Sequence, residues 1–256
     1  MKPLVLVAIL AKQKQEILPA WLKSLENWDY PKDRIAIYIR SNDNTDQTED
    51  ILRQWVKDNE YKYFSVWQDY ESVDSRVSGY EVHEWNQTRF EVLGKIRQLS
   101  VDYAYAEGAD FYFVCDVDNF LLPDTLSRLV EYNLPVVAPL LYDAGKTAYS
   151  NYHNIATPSG YYFDNQEYYT ILNGKVRGLV LCDVVHCTYL IRRDVMPLVR
   201  YQDSTDDYEY VIFSRNLRKY DVPQYLDNSR VHGYLSMNED VQAVLAGMKG
   251  LTNETR

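Results

Sequence analysis

The chain is expected to fold as an α/β domain, a mainly parallel twisted sheet with helices on both faces. Two observations carry this. Through the first half, strand-length apolar runs alternate with amphipathic helical stretches, a βαβαβαβ order that builds parallel sheets. The fourth run, Phe111-Tyr-Phe-Val-Cys115, breaks into Asp116-Val117-Asp118 where its strand should end. Open α/β sheets bind ligands at that carboxyl end.

Taken in order, Leu4 to Leu10 is a continuous apolar run and reads as the first buried strand. A helix near Ile17 to Asn27 follows, with Ile17, Trp21, Leu22 and Leu25 on one face, then a strand at Ile35 to Ile39. The loop Ser41-Asn-Asp-Asn-Thr-Asp-Gln-Thr48 is rich in turn and capping residues and enters a helix through Ile51, Leu52, Trp55 and Val56. A strand at Tyr63 to Trp67, a polar loop from Gln68 to Asn86 and a helix from Thr88 to Ala106 lead to the strand ending at Asp116. The second half is less regular. It reads as a helix near Asp124 to Tyr132, a strand at Val136 to Pro139, an irregular aromatic segment and a strand at Val184 to Ile191. A helix from Asp207 to Lys219 and a strand at Val222 to Leu226 come next, then Val231-His-Gly-Tyr-Leu235. Residues 1–240 are expected to form one domain, with 241–256 a polar tail where any further region would begin.

At 256 residues the chain can bury roughly three quarters of its unfolded surface. With 46% hydrophobic and 25% charged residues it has the balance of a globular protein, and no stretch approaches the roughly 20 apolar residues of a membrane span. The opening apolar run is cut short by Gln13, Lys14, Gln15 and Glu16, so it is not read as a signal peptide. A net charge of -10 argues against nucleic acid as a partner. Cys115, Cys182 and Cys187 lack a C-x-x-C spacing and are expected as free thiols rather than disulfide or zinc ligands. The chain has 24 tyrosines, many of them clustered between Tyr142 and Tyr169, either lining a groove for sugar or peptide or packing as a hairpin. Neither G-x-G-x-x-G after the first strand nor G-x-x-x-x-G-K-[ST] occurs, so phosphates must be held by metal and side chains.

Asp116 and Asp118, at i and i+2, can turn both carboxylates to one side and share a hard divalent cation, Mg2+ or Mn2+, that bridges phosphates. Two solvated aspartates in a turn are the plain alternative. Among His83, His153, His186 and His232, the candidate third metal ligand is His232, which follows the last strands and precedes Gly233. Arg89, Lys95 and Arg97 punctuate one helix. Arg89 lies at the end that favours anions, and Arg97 is expected in a surface salt bridge. Asp206 and Asp207 precede a helix, where an aspartate caps or, near a site, serves as a general base.

The chain resembles the glycosyltransferases of GT-A fold, and more closely the N-terminal catalytic-type domain of the procollagen galactosyltransferases. The matching pieces run through most of its length. They are V-L-V-A-I-L-A at Val5 to Ala11, D-Y-P-K-D-R-I-A-I at Asp29 to Ile37, T-R-F and K-I-R-Q between Thr88 and Gln98, and D-V-D-N-F-L at Asp116 to Leu121. V-A-P-L-L at Val137 to Leu141, Y-S-N at Tyr149 to Asn151, T-P-S-G-Y-Y at Thr157 to Tyr162 and H-C-T-Y-L-I at His186 to Ile191 follow. D-D at Asp206 and Asp207 and G-Y-L at Gly233 to Leu235 complete them. The resemblance implies inverting transfer of a hexose from a UDP-sugar, UDP-galactose first, to an acceptor hydroxyl such as hydroxylysine of a collagen-like protein. It implies Mn2+ on Asp116 and Asp118, Asp207 as base with Asp206 second to it, Asn42 and Asp43 at uracil or ribose, and Arg89 and Lys95 at the donor's base or diphosphate. A transferase building a polysaccharide or lipid-linked glycan, and a non-catalytic sugar-nucleotide-binding module, are the competing readings. The expected compartment is the cytoplasm, or a host-cell lumen if the chain is one domain of a longer protein.

Overall fold

The computed structural model describes residues 1–80, 84, 86–237 and 240–254; His83 lies outside them. Elements in chain order are β1 (Val5–Leu10), α1 (Leu18–Glu26), β2 (Ile35–Arg40), α2 (Thr48–Asn59), β3 (Ser65–Asp69), α3 (Gln87–Ala106), β4 (Phe111–Cys115), β5 (Asn119–Leu121) and α4 (Thr125–Tyr132). They continue with β6 (Val136–Pro139), β7 (Leu141–Asp143), β8 (Tyr152–His153), α5 (Gln166–Leu172), β9 (Leu179–Cys182) and β10 (Val184–Val185). The last are β11 (Thr188–Arg192), α6 (Glu209–Lys219), β12 (Gln224–Asp227), β13 (Gly233–Leu235) and α7 (Val241–Glu254).

The central sheet has the order β3-β2-β1-β4-β11-β6-β12-β9. The strands from β3 to β4 are parallel, β11 runs against both β4 and β6, β12 is parallel to β6, and β9 closes the edge antiparallel to β12. The α/β expectation therefore holds, with antiparallel pairings concentrated in the second half. Alternate residues of the central strands feed two cores, because each strand is covered on both faces. Val5, Val7, Ile9, Ile37 and Phe113 pack with Trp21, Leu22 and Leu25 of α1 and with Leu52 and Trp55 of α2. Leu6, Ala8, Tyr38, Tyr112 and Val114 face Val101 and Ala104 of α3 and Phe213 and Leu217 of α6.

Where the chain leaves β4, a second sheet takes over. β13 lies between β5 and β7, and it approaches β5 so closely that a Cβ on Gly233 would collide with the Phe120 carbonyl oxygen. The tail expected to be polar is the helix α7. Asp240 accepts from the Ala243 amide at its start, and Val244 is fully buried against the core formed by β1, α1 and β4. The strand expected from Val184 to Ile191 divides at His186 and Cys187, where Cys187 takes a left-handed backbone with φ 62°. In the aromatic segment lie β7, β8 and α5, with Tyr152 and Tyr168 buried and stacked at 4.8 Å, and an antiparallel bridge joins Ala156 to Tyr162 across a tight turn.

Candidate active site

A cleft opens at the carboxyl ends of β1, β2 and β4, walled on one side by α3. The loop after β1 supplies Lys12, Gln13 and Lys14, β2 and its loop supply Arg40 and Asn42, α3 supplies Arg89, Leu93 and Arg97, and the end of β4 supplies Asp116 and Asp118. The β1 loop has a fixed course because its polar groups bond across to the β2 loop. The Gln13 amide donates to Asn44 Oδ1 at 2.9 Å, the Lys14 amide to Thr48 Oγ1 at 2.7 Å and the Gln15 amide to Asp46 Oδ2 at 3.1 Å.

The two aspartates are embedded in a line of charges. Arg97 Nη2 donates to Asp116 Oδ1 at 2.8 Å and to Oδ2 at 3.1 Å, and its Nε lies 3.5 Å from Glu209 Oε1 on α6. Arg97 and Glu209 are buried, so the expected surface salt bridge is instead an internal one reaching the acidic pair. Burial works against the Arg97 charge, but Asp116 and Glu209 outweigh it and hold the guanidinium protonated. Burial pushes the Asp116 carboxyl above its ordinary value and the negative Asp118 adds to this, while Arg97 and Lys14 pull it back in part. Lys14 Nζ donates to Asp118 Oδ2 at 3.0 Å. Asp116 itself is aimed by the left-handed turn between β10 and β11, since its amide donates to the Cys187 carbonyl oxygen at 3.0 Å.

Asn42 lines the cleft and its Nδ2 donates to Asp43 Oδ2 at 2.7 Å. Asp43, with φ 53°, accepts from Ser72 Oγ at 2.6 Å, and its carbonyl oxygen accepts from Lys12 Nζ at 2.6 Å. Burial would raise the Asp43 carboxyl, yet these donors and the Lys12 charge hold it below its usual value. Arg89 lines the same cleft and donates to the Tyr80 carbonyl oxygen at 3.0 Å, beneath an α3 start capped by Asn86. Lys95 is not brought there; it is exposed on the outer side of α3, within electrostatic reach of Asp74.

Neither Asp206 nor Asp207 caps α6, whose first turn follows Tyr208. Asp207 Oδ2 accepts from Arg215 Nη1 at 2.6 Å and Oδ1 from Tyr161 OH at 2.9 Å. Arg215 is the main cause that keeps the Asp207 carboxyl below its ordinary range. Asp206 is exposed beside Gln87 Nε2 at 3.3 Å. Between Asp207 and the acidic pair runs a wall of rings. Phe90 stacks on Tyr208 at 3.8 Å, Tyr208 meets Tyr161 and Tyr210, and Tyr210 meets His186, which meets His153 and Tyr149.

His232 is a correction. Its side chain is fully buried with Nε2 2.9 Å from Asp227 Oδ2, and its Nδ1 is 3.5 Å from Thr125 Oγ1, away from the residues lining the cleft. The Gly233 that follows serves the β13 to β5 approach rather than a ligand. Among the described residues no three His, Cys, Asp or Glu side chains cluster as a metal site. The pair Asp116 and Asp118 still fits a hard cation, because both are oxygen ligands at an open cleft and Mg2+ or Mn2+ completes its shell with water and phosphate.

Lys12, Lys14, Arg40, Arg97 and Glu209 were not picked out as site residues from sequence. Lys12 and Lys14 stand just past a buried strand, at the end where such sheets bind ligands. Arg97 shares a helical stripe with Gly94, Val101 and Ala104, all buried, and a cation within such a stripe calls for a buried acid.

This architecture is that of a GT-A glycosyltransferase. S. aureus TarS 1-349 in complex with UDP-GlcNAc superimposes with TM-score 0.59 at 16% identity, over 95% of this chain and 60% of that one. The mannosyltransferase PcManGT from Pyrobaculum calidifontis, in complex with GDP-Man and Mn2+, gives TM-score 0.55 at 12% identity, over 96% and 60%. The sequence model of glycosyltransferase family 25, N-terminal domain, matches residues 2–251, and the chain belongs to that family. Human procollagen galactosyltransferase 2 is 32% identical over 95% of this chain, and a glycosyltransferase 25 family member of Anopheles gambiae is 32% identical over 98%. Mouse inactive glycosyltransferase 25 family member 3 is 31% identical over 92%. The chain spans 41% of the length of the human relative. Among the described residues no helix is long and apolar enough to cross a membrane.

Proposed function

We propose that this chain transfers a hexose from a UDP-sugar, UDP-galactose first, to an acceptor hydroxyl, with inversion at the anomeric carbon. The observation that carries the reading is the pair Asp116 and Asp118 at the mouth of a cleft whose other walls hold Lys12, Asn42, Arg89 and Arg97. Asn42 and Asp43 are suited to the uracil or ribose, and Lys12 and Arg89 to the diphosphate. Asp116 and Asp118 would hold Mn2+ or Mg2+, which when bound offsets the charge that develops on the departing diphosphate. The family relatives named for procollagen favour hydroxylysine of a collagen-like protein as the acceptor.

The acceptor hydroxyl would enter along the ring wall from Phe90 to Tyr149 and give its proton to Asp207. Arg215 and Tyr161 orient that carboxylate and keep it ionised at neutral pH. Displacement of UDP on the face opposite the base then leaves the new glycosidic bond inverted.

The test is UDP release from a panel of UDP-sugars with Mn2+, with and without a hydroxylysine-containing collagen peptide and with a chelator control. Release from UDP-galactose that needs both metal and peptide supports the reading. Release that ignores the peptide removes the collagen acceptor, and silence with every donor moves the reading to a non-catalytic sugar-nucleotide-binding module.

A further inference from the structure

Glu209 opens α6, where an acid ordinarily complements the helix dipole from the solvent side. Its side chain is instead turned inward, only 7% exposed, and lies 3.5 Å from Arg97 Nε. The helix α3 makes room for it. Gly94, one turn before Arg97, has no side chain, and a Cβ there would meet Glu209 Cβ at 3.5 Å. Arg97 meets its two acids on different edges of the guanidinium, Nη2 on Asp116 and Nε toward Glu209. One carboxylate would be enough to neutralise Arg97, and burying a second adds a desolvation cost that calls for a reason.

We propose that Glu209 is a positioning residue for the acidic pair: it balances the Arg97 charge from within the core, so that Asp116 is held by Arg97 and still has its own negative charge to share with a divalent cation. This rests on the metal reading of Asp116 and Asp118. Without Glu209 the guanidinium would stand against Asp116 as an unbalanced cation, and its repulsion would weigh on any metal bound there. With Glu209 in place the two interior charges largely cancel at the cleft, and what Arg97 supplies to Asp116 is direction. Its Nη2 bonds to both carboxylate oxygens fix the plane of that group. Glu209 stands behind the cleft lining and acts through Arg97.

The experiment counts free Mn2+ by its electron paramagnetic resonance signal while the protein is titrated in the presence of UDP. Wild type is compared with Glu209→Gln, which removes the charge and keeps the shape, with Glu209→Asp, which keeps the charge, and with Arg97→Gln/Glu209→Gln, which removes both charges. Thermal unfolding verifies that each is folded. Glu209→Gln is expected to bind Mn2+ about tenfold more weakly than wild type, and the double variant to recover most of that loss, because the uncompensated guanidinium is gone. Glu209→Asp is expected to stay within about threefold of wild type. It carries the test if Glu209→Gln does not fold, since a folded Asp variant that binds as weakly as the Gln variant should would overturn the charge role. Equal Mn2+ binding by wild type and Glu209→Gln, or a double variant as weak as Glu209→Gln, overturns the inference and leaves the metal site standing. If none of the proteins binds Mn2+, wild type included, the metal reading falls and this inference with it.

Discussion

Asp118 and Asp207 have separable duties in the proposed reaction, and substitution should part them. Asp118→Asn is expected to lower Mn2+-dependent turnover by about 10²-fold or more while thermal unfolding stays unchanged, and a fully active variant would remove the metal assignment. Asp207→Asn should lose transfer while isothermal titration still registers UDP binding; loss of that binding would make Asp207 a donor ligand. Because Arg215 is the main cause that lowers the Asp207 carboxyl, Arg215→Met should move the acidic limb of the kcat/KM profile to higher pH. Arg97→Met would leave the buried Glu209 without its cation and take a donor from Asp116 at the cleft, at a cost of about 3–5 kcal/mol in denaturant unfolding. Of these residues the acidic pair was legible because a strand ended on it. Arg97 was not, because its burial depends on Glu209 of α6, more than a hundred residues away. His232 misled for a related reason: a histidine before a glycine looks like a ligand until Asp227 is seen beside it.

Elements were legible where packing is two-sided and local. The runs that became β1, β2 and β4 are apolar throughout, save Arg40 at the end of β2, because both faces are covered, and α1 and α2 show their stripes plainly. The second half hides its elements. β9 is an edge strand with Leu179 and Leu181 exposed, and the break between β10 and β11 depends on a cysteine in a left-handed conformation that no local signal announces. In α7 the helical spacing of Val241, Val244 and Met248 is obscured by Gly247 and Gly250. The helix α3 joins cleft and core, and its seat has little slack: a Cβ on Gly94 would lie 2.7 Å from the Tyr201 carbonyl oxygen. Gly94→Ala is therefore expected to destabilise by about 1–3 kcal/mol in urea unfolding and to weaken UDP binding through Arg89 on the same helix.

Across the whole molecule, stability should depend on pH through its buried histidines. Burial pushes His153 down to about 4 and His186 well below its ordinary value, so both are neutral in the folded protein. The unfolded chain takes up a proton on His153 near 6.5 and the folded one only near 4, so this contribution is complete above 6.5 and is lost as pH falls toward 4. A loss of about 2 kcal/mol by pH 5 is expected for His153, and His153→Phe should flatten that part of the unfolding profile. The arrangement of α7 also bears on how this domain should be cut for the laboratory. Val244 fills the core under β1 and β4, and Gly247 lies against the Tyr234 ring of β13, the strand that pairs with β5 directly after Asp118. A recombinant fragment stopped at residue 240 would lose the buttress behind the acidic pair and should melt at a lower temperature than one carried to 254. Boundaries for expression, and for any minimal transferase grafted into another protein, belong beyond that helix.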